Sequence, residues 1–261
     1  KTWSGYLYNT ETKEFSDTLT EGLEYKHIIP KNDYNYNSDA SITLYGVDKY
    51  AFWDKLTNAR RIPVTGQPFL EYGNPTFTTF EGRDCIHFEY MYYDTPKVVY
   101  DCSGIPADTT PRMYIFNIYS SGTTAGMKNF FTHGADDKIR FRSYFYKDNG
   151  SSLAFWVNSE VDIVYECHIQ SGTTKLNQWV NIICYFTGTE MRIYQNGVLE
   201  HATQANLTGT KSDNETLVLG CHIDNTSAYD GYMQNFKILY GTYSDEEIKA
   251  EADRCLAMVT E

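Results

Sequence analysis

The sequence predicts an all-β fold: an antiparallel jelly-roll β-sandwich closed by a short C-terminal helix. Three observations lead there. Short segments that alternate apolar and polar residues, or that concentrate β-branched and aromatic ones, recur along the chain. Gly-, Asn-, Asp- and Ser-rich turns separate them. Helical periodicity with a start signal occurs clearly at one place, near the C-terminus.

The strand segments are 85–93, 113–119, 139–146, 153–157, 161–169, 179–186, 191–195, 216–223 and 234–240. Trp179 and the face of Val180, Ile182, Cys184 and Phe186 are expected in the core between two antiparallel sheets. Asn196-Gly197 lies between 191–195 and 198–201 and predicts a type I′ hairpin, because both central residues of that turn take positive φ. Asn149-Gly150 is a second such hint. The helix, 245–258, opens on a capping box, with Ser244 followed three residues later by Glu247. Asp245, Glu246 and Glu247 suit the positive end of its dipole. Ile248, Ala252, Cys255 and Val259 share a face, so the helix reads as a lid on the sandwich. Residues 1–45 read differently: a hairpin of 6–8 with 13–16, then a polar stretch without period at 31–41. They are expected to form a lead-in or linker packed on the sandwich, with the jelly-roll domain occupying 46–261.

Composition narrows the function. The 261 residues carry 22 Lys and Arg against 34 Asp and Glu, a net charge of −12. That argues against a nucleic-acid binder, which needs a basic stripe, and against docking on anionic lipid. No apolar run approaches the roughly 20 residues of a spanning helix, so membrane insertion is not expected. Lys1 in place of an initiator Met reads as a mature or excised fragment, belonging with other domains of a larger chain. Aromatics make up 16% of the chain, a content that suits strands and binding surfaces alike.

The six cysteines lie at least 17 residues apart, which rules out a C-x-x-C pattern. An even count allows disulfides. Alternation offers a second reading, in which Cys167, Cys184 and Cys221 sit on apolar strand faces as small hydrophobes. The sequons at Asn149, Asn206, Asn214 and Asn225 are close to the number expected by chance.

A run of motifs then carries a resemblance. Gln178-Trp179-Val180-Asn181-Ile182 precedes Tyr194-Gln195-Asn196-Gly197, Leu217-Val218-Leu219-Gly220, the 229–238 segment and Ser244-Asp245-Glu246-Glu247-Ile248. In this order they resemble the laminin G-like, concanavalin-type jelly roll. The resemblance implies two stacked antiparallel sheets and ligand binding, usually of carbohydrate or protein, at one sheet face or at rim loops, often with calcium.

Templates for catalysis fail: no G-x-S-x-G, P-loop, H-E-x-x-H or G-x-G-x-x-G occurs. Glu160-Val161-Asp162-Ile163-Val164-Tyr165-Glu166 resembles the paired-acid strand of laminarinase-type glycoside hydrolases. Along a strand, however, Glu160 and Glu166 start about 20 Å apart, too far for the roughly 5–5.5 Å of a retaining pair. The chain is therefore read as non-enzymatic, with hydrolysis as the lesser alternative. His133 and His222 read as solvated or hydrogen-bonded.

Sugar recognition needs aromatic faces with amides and carboxylates beside them. The segment from Asp224 and Asn225 to Tyr229 and Asp230 has that chemistry, as does Tyr146 with Asp148, and Trp156 suits either a ligand or the core. Calcium takes oxygen ligands, which Asp136 and Asp137 offer. The expectation is a glycan- or cell-surface-protein-binding domain, extracellular or on a cell or virion surface, in an adhesin, receptor-binding fibre or secreted protein. A structural or oligomerisation module is the alternative.

Overall fold

A computed structural model describes residues 75–89, 96–101, 107–120, 127–134, 139–146, 152–159, 163–169, 175–207, 216–222 and 226–257, and the backbone of six strands before them. In chain order those six are β1 (Gly5–Asn9), β2 (Phe15–Ser16), β3 (Tyr25–Pro30), β4 (Ala40–Leu44), β5 (Phe52–Asp54) and β6 (Ala59–Arg61). There follow β7 (Thr76–Phe80), β8 (Arg83–Phe88), β9 (Val98–Asp101), β10 (Arg112–Tyr119), β11 (Lys128–Gly134), β12 (Arg140–Tyr146) and β13 (Ser152–Ser159). The last strands are β14 (Ile163–His168), β15 (Trp179–Phe186), β16 (Glu190–Gln195), β17 (Val198–Gln204), β18 (Thr216–Leu219) and β19 (Gly231–Tyr240), before helix α1 (Asp245–Leu256).

Two antiparallel sheets make the sandwich. The larger runs β17-β16-β15-β10-β19-β4-β5-β6, with the β7–β8 hairpin joined to β19 through β8. The smaller runs β14-β13-β12-β11-β18-β9. Strands β2-β1-β3 form a separate sheet, and β1 with β2 makes the hairpin expected near residues 6–16. Strand β4 departs from the expected boundary at residue 45: it pairs with β19 from Lys237 to Leu239, so the large sheet begins before residue 46.

Phe116 and Ile118 of β10, Val180, Ile182, Cys184 and Phe186 of β15, and Phe141 and Phe145 of β12 meet in the core between the sheets. Irregularities let neighbouring residues share that core. A register shift in β11 turns both Phe130 and Phe131 inward. In β19, a shift at Asn235, where φ is 60°, carries the core side from Met233 to Phe236. His133 is buried, its Nδ1 2.8 Å from the Tyr114 hydroxyl.

The outer face of the large sheet is half covered by α1. Ile248, Ala252 and Cys255 pack on Met113, Ile115, Ile183, Tyr185 and Tyr194. The capping box forms as expected, and the helix ends at Leu256. Val259 lies outside the described residues.

Cys85, Cys167, Cys184, Cys221 and Cys255 are all buried and no two of them form a disulfide, while Cys102 lies outside the described residues. Cys221 does not share the core face of Leu217 and Leu219. Gly220, at φ 87°, ends the alternation, and Cys221 packs with Val218 and Ala228 on the other side of the sheet.

Candidate functional site

Between β18 and β19, the described residues 220–222 and 226–230 fold inward. The N–H of His222 donates to the Thr226 carbonyl (3.0 Å), and that of Tyr229 to the Gly220 carbonyl (2.7 Å). Ala228 bridges to Asn129 at the start of β11. This pins the chain so that the Tyr229 ring enters the core, edge-on to Phe130 at 4.9 Å. Its hydroxyl donates to the carbonyls of Tyr119 (2.8 Å) and Tyr232 (3.2 Å). Tyr229 is fully buried and offers nothing to a ligand, which corrects the expectation for that residue. Asp230 is half-buried, and its charge acts on the buried Lys128 ammonium. Burial lowers the Lys128 pKa, and Asp230 opposes that shift. Asp224, Asn225, Asp148, Asp136 and Asp137 lie outside the described residues, and Tyr146 ends β12. Among the described residues no group of His, Cys, Asp and Glu is arranged to hold a metal ion.

Trp156 lies on the outer face of the small sheet, only 8% exposed, in a cluster with Tyr144 and Ala154. One straight row of paired residues, Val99, Val218, Thr132, Arg142, Trp156 and Glu166, crosses all six strands there. The Arg142 guanidinium sits 3.9 Å from the Trp156 ring centre and 4.8 Å from that of Tyr144, and the Arg140 guanidinium 5.1 Å from Trp156. The Tyr144 hydroxyl donates to the Glu166 carboxylate, which lies 3.6 Å from His168 Nδ1.

The sequence reading missed a second surface. On β15, alternation puts Val180, Ile182, Cys184 and Phe186 inside and therefore Trp179 outside, where the expectation had it in the core. Trp179 pairs with Tyr119, Tyr119 with Tyr232, and Tyr232 with His87, a row of rings over β15, β10, β19 and β8. Phe80 stacks on Tyr232 with ring centres 4.0 Å apart, and His87 stacks on it at 4.4 Å. Phe80 also meets Tyr119 edge-on at 4.8 Å. All five rings are half-buried.

Polar groups rim this patch. Arg83 lies 5.5 Å from the Trp179 ring centre and is tied to Gln234 Oε1 and the Leu256 carbonyl at the end of α1. Asn177 and Gln178 are exposed beside Trp179, and the Asn177 N–H is fixed on the Ser120 carbonyl at 2.9 Å. The Trp179 indole Nε1 is buried without a hydrogen-bond partner. Gly231 permits the close crossing beneath: at φ 146°, a Cβ there would stand 2.5 Å from the Tyr119 carbonyl oxygen.

Residues 114–249, just over half the chain, match the family model described as the concanavalin A-like lectin/glucanases superfamily. The chain belongs to that superfamily. No curated protein matches it. Among solved structures it is similar to the receptor binding domain of botulinum neurotoxin C/D mosaic serotype, with TM-score 0.62, 15% identity, and 82% of this chain covering 51% of that one. The receptor binding domain of botulinum neurotoxin D gives TM-score 0.62 and 13% identity, with 82% and 52% covered. A serotype D ligand binding domain in complex with N-acetylneuraminic acid gives TM-score 0.60 and 16% identity, with 82% and 50% covered. These likenesses establish a shared fold, and the chain spans about half the length of the structures it matches.

The superfamily's name covers lectins and glucanases, so the acids at 160, 162 and 166 bear on which this chain is. Glu160 and Asp162 lie outside the described residues. Among the described side chains of the small sheet's outer face, Glu166 is the one carboxylate, and its neighbours there are Tyr144, His168 and Trp156. No helix of the described residues is long and apolar enough to cross a membrane.

Proposed function

We propose that this concanavalin-like domain is a non-enzymatic recognition module that binds glycan, free or on a cell-surface protein, through the aromatic surface of β15, β10, β19 and β8. The observation that carries the reading is the row Trp179, Tyr119, Tyr232 and His87, capped by Phe80 and rimmed by the exposed amides of Asn177 and Gln178. Ring surfaces take the apolar C–H side of a pyranose, and planar amides orient its hydroxyls. A largely pre-formed apolar surface with a few fixed polar groups is the usual make-up of a small-ligand site. The superfamily's lectins, and a structural neighbour bound to N-acetylneuraminic acid, support a glycan as the ligand class. Such a module belongs outside the cell or on a surface, where glycans are met.

The test is a glycan array probed with the whole chain and with Trp179→Ala. The expected result is selective binding by the parent and at least a tenfold loss in the variant, with the melting temperature nearly kept. Undiminished binding by Trp179→Ala overturns the assignment of the site. A silent array with self-association of the chain favours the structural module, and release of reducing ends from a β-glucan favours a hydrolase.

A further inference from the structure

Strand β17 ends the large sheet, paired with β16 on one side only. Six of its seven residues are exposed, so the rest of the chain leaves its other side uncovered. Val198 and Leu199 are 56% and 43% exposed, two of the four exposed large hydrophobic residues among the described ones. An open sheet edge with apolar side chains is a template for a further strand. We infer that this strand is β17 of a second copy, running antiparallel about a two-fold axis between Glu200 and His201.

The backbone sets that axis. The Ala205 N–H donates to the Thr189 carbonyl at 2.8 Å, towards β16. Backbone groups alternate along an antiparallel strand, so those of Thr203 also face β16 and those of Ala202 turn away. At the other end the Asn196-Gly197 turn closes on the pair of Gln195 and Val198, so Val198 faces β16 and Leu199 turns away. Glu200 is the extra residue at the register shift between them. Leu199 and Ala202 therefore both offer outward groups, and the axis sets Leu199 opposite Ala202 of the partner subunit. A bulge commonly keeps an edge from pairing; a copy with the same bulge matches it.

Side chains agree with this register. Leu199 pairs with Tyr194, which packs under α1, and Ala202 with Arg192 two residues away, so both lie on the outer face. They form an apolar pair across the axis. Val198 meets Thr203 of the partner subunit, both β-branched, and Glu200 meets its His201, whose imidazole donates to the carboxylate. Pairs of these kinds stabilise neighbouring strands. An axis through Glu200 would face two carboxylates, and one through His201 would set Leu199, turned outward, against Thr203, turned inward. Seven-residue strands bury less than the roughly 1,600 Å² of a standard interface, so the dimer is reversible. Each copy carries a charge of −12, a repulsion that salt screens. A two-fold axis normal to the sheet turns both aromatic surfaces the same way, which gives a bivalent ligand avidity. That consequence rests on the glycan reading; the pairing itself does not.

Sedimentation velocity of the whole chain, over a hundredfold range of concentration at low and at moderate salt, tests the pairing. A monomer–dimer equilibrium is expected, tighter at moderate salt. Glu200→Lys, which places a cation opposite His201, is expected to weaken it at least tenfold, and adding His201→Glu to that variant is expected to restore it. Ala202→Pro removes an N–H that faces away from β16 and is expected to abolish the dimer with the melting temperature nearly kept. Trp179→Ala is expected to leave the dimer intact, so this inference and the glycan surface fail separately. A chain that stays monomeric throughout overturns the inference. So does a dimer that Glu200→Lys leaves unchanged, or one that His201→Glu does not restore.

Discussion

At Tyr229 the same chemistry that suggested a binding residue supports the core. A tyrosine ring among polar neighbours suits a sugar, but it also suits a buried site that supplies two carbonyl acceptors, and Tyr119 and Tyr232 supply them. Tyr229→Ala is expected to destabilise the chain by about 3–5 kcal/mol, as for other large buried rings. Tyr229→Phe, which removes one donor, should cost about 1 kcal/mol. Urea midpoints measure both, and an unchanged midpoint for Tyr229→Ala would contradict the burial. The cysteines offer a second residue-scale test. Burial pushes the Cys85 and Cys167 thiols up to about 12 and that of Cys255 to about 11. In the unfolded chain they lose protons near about 8.5, so between those values the folded state holds more protons. Stability is therefore expected to stay level up to about pH 8 and to fall from there towards pH 11. Urea midpoints taken across that range check the sign, and a midpoint that rises above pH 9 would refute it. The positions of Cys167 and Cys184 were legible because alternation alone fixes them. Trp179 was misread because it was grouped with the core face of Val180 and Ile182, whereas strict alternation already turns the indole outward.

Among the elements, α1 is the one whose ends and face were written most plainly in the sequence. The Ser244 hydroxyl accepts from the Glu247 N–H and the Glu247 carboxylate accepts from the Ser244 N–H, as the spacing requires. Ser244→Ala is expected to cost about 1 kcal/mol, read as a lower melting temperature. The hairpin turn was equally legible, since Asn196 and Gly197 both take positive φ, 53° and 75°. Its second role was not. A Cβ on Gly197 would stand 2.5 Å from Lys249 Cδ and 3.0 Å from Lys249 Cα, so the turn is pressed against the helix. Gly197→Ala therefore meets both backbone strain and a clash, and it should destabilise more than Ser244→Ala. A variant as stable as the parent would show that the helix can move off the turn. The register shifts in β11 and β19 escaped the sequence reading because Phe130-Phe131 fits period two with either ring outside; the pairing with the partner strand decides, and a strand's own sequence does not contain it.

For the molecule as a whole, the question is where the sandwich begins. Composition placed a break near residue 45, because 31–41 is polar and without period. Pairing places β4, Ala40–Leu44, inside the large sheet, with Thr43 opposite Lys237 and Ile42 opposite Ile238. Local sequence could not reveal this, since β4 and its partner are nearly two hundred residues apart and a strand of five residues carries little period of its own. The edge of β19 left open by removing β4 would present unpaired backbone groups from Lys237 to Leu239, next to the Lys237–Glu251 ion pair (2.8 Å) that ties α1 to the sheet. A chain starting at residue 46 is thus expected to unfold at lower temperature than one starting at residue 36. Its amides at Lys237–Leu239 should exchange faster with deuterated solvent, because an unpaired edge protects them less. Hydrogen exchange resolved to peptides covering 231–240 distinguishes the outcomes. Equal protection in the two chains would mean that β4 is dispensable and that the sandwich begins with β7 and β8. Protection lost along the whole of β19, α1 included, would mean that β4 anchors the outer layer that carries both the helix and the aromatic surface.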